Sequence, residues 1–138
     1  MSRASLLGCA LAAALLSAGC GGIKSPDLFI VKRSGAGAGA QLTLLVDEEG
    51  GVHCNGGPEQ KISDSQIVKS RAIAEELEHL ASEHLSLTPQ PGSVLRYEVR
   101  EEAGTVRFAD NSRGQPAVLR QLVLFVLQTS QQVCHLPE

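Results

Sequence analysis

The spacing of apolar residues along this 138-residue chain changes character several times, and each change falls at a cluster of turn-forming residues. Residues 28–32 are apolar and β-branched and predict a first strand. Residues 34–40 repeat Gly and Ala and read as a linker or a long hairpin loop. Residues 41–46 predict a strand, Asp47-Glu48-Glu49-Gly50-Gly51 a turn, and residues 52–54 the returning strand. Asn55-Gly56-Gly57-Pro58 then breaks the chain.

The period next shifts to that of a helix. Ser63 and Gln66 have capping-box spacing, and Ile62 with Ile67 forms a hydrophobic staple across the same start. A helix is predicted from Asp64 to about Ser86, with Ile73, Leu77, Leu80, Ala81 and His84 along its apolar face. Residues 88–92, with two prolines and a glycine, end it. Residues 94–100 alternate strictly, with Leu95, Tyr97 and Val99 on one face and Arg96, Glu98 and Arg100 on the other. Residues 101–104 turn, and Val106 and Phe108 continue the apolar face on the way back. Pro116 suits a first helical position. Val118, Leu122, Phe125, Val126, Thr129 and Val133 follow at helical spacing as far as Cys134.

These elements predict an α+β fold, an antiparallel sheet of four to five strands with two helices packed on one face. The segment 46–51 echoes 99–104, and the helix starts at Ser63 and Pro116 have the same offset. This reads either as a repeated strand–strand–helix (ββα) unit or as a coincidence between two ordinary hairpins.

The N-terminus has a different logic. One positive charge, Arg3, precedes an uncharged Ala- and Leu-rich stretch over residues 4–17, as in an export signal. That stretch is shorter than the roughly 20 residues a spanning helix needs. It closes on Leu16-Ser17-Ala18-Gly19-Cys20, which resembles the lipobox of bacterial lipoproteins, although Ser17 stands where that family prefers leucine. The resemblance covers about the first 20 residues. It implies cleavage after Gly19, a diacylglyceryl group on the Cys20 thiol, and a palmitate-bearing lipoprotein attached by lipid to a membrane of the bacterial cell envelope, outside the cytoplasm. The expected organisation is therefore a signal peptide over 1–19, a tether over 20–26 and a single domain over 27–138.

Charge and cysteine content narrow the function. The formal net charge is −3 and no basic block occurs, so nucleic acid is not an expected partner. One Tyr, three Phe and no Trp leave little surface for stacking sugars or bases. Of four cysteines, Cys9 leaves with the signal and Cys20 takes the lipid, so Cys54 and Cys134 remain in an oxidising compartment and are expected to form a disulfide. His53-Cys54 and Cys134-His135 together would be a zinc-ligand set. Adjacent strand residues point to opposite faces, however, so His53 cannot readily join Cys54 at one ion, and no metal or other cofactor is expected. The carboxylates of the two acidic turns read as solvated tips, and His84 as a packed residue near a helix end. No nucleophile elbow or Ser-x-x-Lys motif occurs, and no catalytic residue is assigned.

The expected function is a non-enzymatic binding or assembly module of the envelope, engaging an envelope protein or a small ligand. A second reading follows from residues 42–54, Asn55-Gly56-Gly57 and the late Cys134, an order that resembles the subtilisin-inhibitor-like proteins of bacteria. That resemblance implies a protease inhibitor with its inhibitory loop at 86–93, although the second disulfide that braces the loop in that family has no cysteines here. A small hydrolase is the third reading.

Overall fold

The computed structural model describes residues 26–137. They form one six-stranded antiparallel sheet and two helices, in the order β1 (Asp27–Gly35), β2 (Leu42–Asp47), β3 (Gly51–Cys54), β4 (Gln60–Lys61), α1 (Asp64–Ser82), β5 (Leu95–Glu101), β6 (Gly104–Ala109) and α2 (Ala117–Gln132). The expected α+β class is observed, with more strands than expected. The sheet order is β4-β3-β2-β1-β5-β6, so the first strand lies in the interior and pairs on both sides. The additional strand, β4, is only two residues long and pairs Gly51 with Lys61 and Val52 with Gln60.

Alternation decides which face is covered. Phe29 and Val31 of β1, Leu42, Leu44 and Val46 of β2, Val52 of β3, Tyr97 and Val99 of β5, and Val106 and Phe108 of β6 are all buried on one side. Both helices pack there. Ile73, Leu77 and Ala81 come from α1, and Val118, Leu119, Leu122, Phe125 and Val126 from α2. Phe29 meets Phe125 edge-on at 6.1 Å, and Tyr97 stacks on Phe108 at 5.0 Å.

The helices cross opposite ends of the sheet. The Arg71 guanidinium of α1 donates to the Glu48 carbonyl in the β2–β3 turn. At its other end, α1 lies against the β5–β6 turn so closely that a Cβ on Gly104 would stand 2.2 Å from the Ala81 carbonyl oxygen. Only glycine fits there. α2 starts after β6 and ends beside β3, where Cys134 is bonded to Cys54 with their Cα atoms 5.7 Å apart.

Two local outcomes depart from expectation, and a third bears on the open question of a repeat. β1 runs to Gly35, three residues past its expected end, and the low-complexity stretch is a hairpin loop closed from beneath by Arg33. This buried side chain donates to the Ala40 carbonyl at 3.2 Å and the Gly39 carbonyl at 2.7 Å. Helix α1 ends at Ser82 rather than Ser86. The Leu85 amide returns to the Leu80 carbonyl and the His84 amide to Ala81, a Schellman stop with His84 in the left-handed position (φ 52°). His84 is therefore exposed beyond the helix, not packed on its apolar face. Thirdly, although the order strand–strand–helix occurs twice, the two hairpins close differently. Glu101 pairs directly with Gly104 across a two-residue turn, whereas Val46 pairs with Val52 around a longer one.

The expected capping box is present, with Ser63 and Gln66 each satisfying the other's backbone amide. The disulfide closes a loop of 80 residues. Chain entropy assigns such a loop about 4–5 kcal/mol, with measured values commonly lower. Urea unfolding with and without reductant should therefore differ by about 3 kcal/mol, and Cys54→Ser/Cys134→Ser should match the reduced protein.

Candidate functional site

The residues singled out in the sequence are only partly brought together. Cys54 and Cys134 meet as the disulfide. Cys20, the expected lipidation site, lies outside the described residues. His53 faces away from Cys54, and its Nδ1–H donates to the Gly57 carbonyl at 2.8 Å. His135 is exposed in a left-handed conformation after α2. His79 is exposed beside Glu83 at 3.5 Å. Among the described residues, no three of His, Cys, Asp or Glu converge as metal ligands would.

The most organised surface feature is the segment 86–93 between α1 and β5. At its start, the Leu87 amide donates to the Arg107 carbonyl and the Arg107 amide to the Leu85 carbonyl, both at 2.8 Å, which covers part of the β6 edge. The middle is held by Asn111. Its Oδ1 accepts from the Gln90 amide at 3.0 Å, and its Nδ2 donates to the Gln90 and Pro91 carbonyls at 3.1 and 3.2 Å. The far end is held by Asp110, whose carboxylate accepts from the Ser93 hydroxyl and from the amides of Val94 and Leu95. Burial alone would raise the Asp110 pKa. The Val94 amide, the Ser93 hydroxyl and the amides of Leu95 and Asn111 outweigh it and hold this carboxyl below its ordinary value. Pro89 and Pro91 fix their own φ and restrict Thr88 and Gln90 to extended backbone. Thr88, Pro89, Pro91 and Gly92 remain exposed at the tip. The outcome is a preshaped loop with its peptide groups tied from behind.

A second feature lies at the hairpin-turn end. Asp27, Glu48, Glu101 and Glu102, with Glu75, Glu78 and Arg71 of α1, line a concavity of about 840 Å3. Two carboxylates at this end are not the solvated tips the sequence suggested. Asp47 is buried, and its Oδ1 accepts from the amides of Glu49 and Gly51, so it shapes the turn. Glu101 is half-buried, with one carboxylate oxygen enclosed and lacking a hydrogen-bond partner. Burial, reinforced by the negative charge of Glu78, raises its pKa to about 7.

The third feature is the uncovered face of the sheet. Lys32, Arg96, Arg100 and Arg107 project from it and are exposed. Glu98 stands opposite Lys32 in the β1–β5 register and accepts from Arg107 Nε at 3.0 Å, and at the β4 edge Lys61 pairs with Glu59 at 3.0 Å. The twist of the strands makes part of this face concave, a trough of about 800 Å3 between Asn55 on one flank and Ser86 and Pro89 on the other.

Comparison of the chain with protein-family models, with curated proteins and with solved structures finds no match.

The Glu101 environment has a measurable consequence. From about pH 4.5 to about pH 7 the unfolded chain releases this proton while the folded one keeps it, so stability falls as pH rises through that window and levels above it. With the part of the carboxyl group that faces water discounted, the loss is about 1 kcal/mol. Glu101→Gln should remove this slope and raise stability at pH 8 by a similar amount in urea titrations.

Proposed function

We propose that the chain is a bacterial envelope lipoprotein, lipidated on Cys20, whose domain is a non-enzymatic binding module. The anchor rests on the resemblance of residues 16–20 to a lipobox. The binding role rests on one observation above all, the loop 86–93 with its backbone tied by Asn111 and Asp110 and its tip exposed. A loop that is already ordered loses little further freedom when a partner docks, so a small contact area can bind usefully. The anchor is checked by mass. Chain isolated from bacterial membranes should begin at residue 20 and carry diacylglyceryl there, and Cys20→Ala should release the domain from the membrane fraction. A mass without lipid would sink the anchored reading.

The Asn111 contacts also favour the second reading, protease inhibition. An inhibitory loop must present extended backbone to a protease and resist being cleaved, and three hydrogen bonds from one side chain at Gln90 and Pro91 supply that restraint. On this reading the intact chain inhibits a subtilisin-type serine protease at micromolar concentration or below. Asn111→Ala then weakens inhibition by roughly 10- to 100-fold, at about 1 kcal/mol per lost bond, and exposes the loop to cutting. Full protease activity in the presence of micromolar wild-type chain would dismiss inhibition and leave the binding module.

A further inference from the structure

The two faces of the sheet differ in charge as well as in burial. One face is sealed by the helices. The other presents Lys32, Arg96, Arg100 and Arg107 around the carboxylate of Glu98, with a further ion pair, Lys61 and Glu59 at 3.0 Å, at its β4 edge beside the buried Asp47, in a chain whose formal net charge is −3. Ile30 and Leu45 pair across β1 and β2 on this same face and are half-buried. Cations beside modest apolar surface suit the headgroup region of an anionic bilayer. A denser group of carboxylates, Glu48, Glu75, Glu78, Glu101 and Glu102, surrounds the concavity at the end where Asp27 enters the domain.

A lipid on Cys20 would leave two ways to rest on a membrane. Residues 20–26 span at most about 25 Å when extended. β1 itself is nine residues long, a length of about 30 Å. The tether therefore permits the domain to stand on its Asp27 end or to lie on its open sheet face. Standing brings the carboxylate-lined end against anionic headgroups, whereas lying brings the basic face against them. Each cation near such a surface strengthens attachment about fivefold. We infer that the domain lies with its open sheet face on the membrane, where Lys32, Arg96, Arg100 and Arg107 meet the phosphates of anionic lipid headgroups. Its helices then face outward. This inference rests on the anchored reading for its geometry, but its test does not depend on that reading.

Amine labelling provides the test. The full chain is placed on vesicles of phosphatidylglycerol and, separately, of phosphatidylcholine, and acetylation is followed at Lys32 on the open face and at Lys69 on α1. Lys32 should label at least about fivefold more slowly on phosphatidylglycerol than on phosphatidylcholine, with Lys69 unchanged. About 0.5 M salt should abolish the difference. So should Arg96→Glu/Arg100→Glu, two exposed positions outside the core. Equal labelling of Lys32 on the two vesicles overturns the inference. Protection that appears on native membranes but not on phosphatidylglycerol also overturns it, and points to an acidic protein instead. The anchor is scored separately by the mass at Cys20. Should that mass show no lipid, the chain added from solution still reports whether Lys32 is protected on phosphatidylglycerol.

Discussion

Burial of one side of β1 beneath the two helices is the constraint on which the rest of the domain depends. Phe29 and Val31 stand at the middle of the sheet, and Phe125 of α2 closes on Phe29 from above. Because side chains alternate, placing these residues inward commits Ile30 and Lys32 to the outer face. The same register commits Leu44 and Val46 on one flank and Tyr97 and Val99 on the other. A slip of one residue would drive Lys32 into the core and expose Val31. The core therefore fixes the register, and the register in turn gathers the cations of three strands on one open surface.

Much of this was legible because it is periodic or local. Strict alternation over 94–100 exposes β5, the Ser63–Gln66 pair marks the start of α1, and Pro116 marks the start of α2. The disulfide followed from elimination among four cysteines. What escaped has no period. β4 is two residues long and exists because β3 offers it an edge. The stop of α1 uses His84 where glycine is usual, so the composition gave no sign of it. Asp47 and Glu101 look in sequence like any carboxylates at a turn, and only the packing of neighbouring elements separates them from Glu49 and Glu102. The support of Gln90 by Asn111 joins residues 21 apart through one side chain, a relation that hydropathy cannot carry.

The candidate surfaces share a scaffold but differ in construction. The loop 86–93 gains its shape from directed hydrogen bonds, so that shape rests on individual side chains such as Asn111 and Asp110. The open sheet face gains its character from a sum of charges, so no single residue defines it. The first arrangement suits a partner of defined shape, and the second a diffuse one.

The interior position of β1 also has a mechanical meaning. Any pull transmitted through the residues before Asp27 enters at the end of a strand hydrogen-bonded on both sides, to β2 and to β5. Those bonds lie across the strand, so tension along it loads both ladders in shear, with many bonds sharing the force rather than breaking one after another. The disulfide lies outside that path, because it joins the end of β3 to the segment after α2. Resistance to being drawn apart from the N-terminal side thus rests on this backbone pairing and on the burial of Phe29 and Val31 rather than on the disulfide, and it would persist in a fully reduced chain that remained folded.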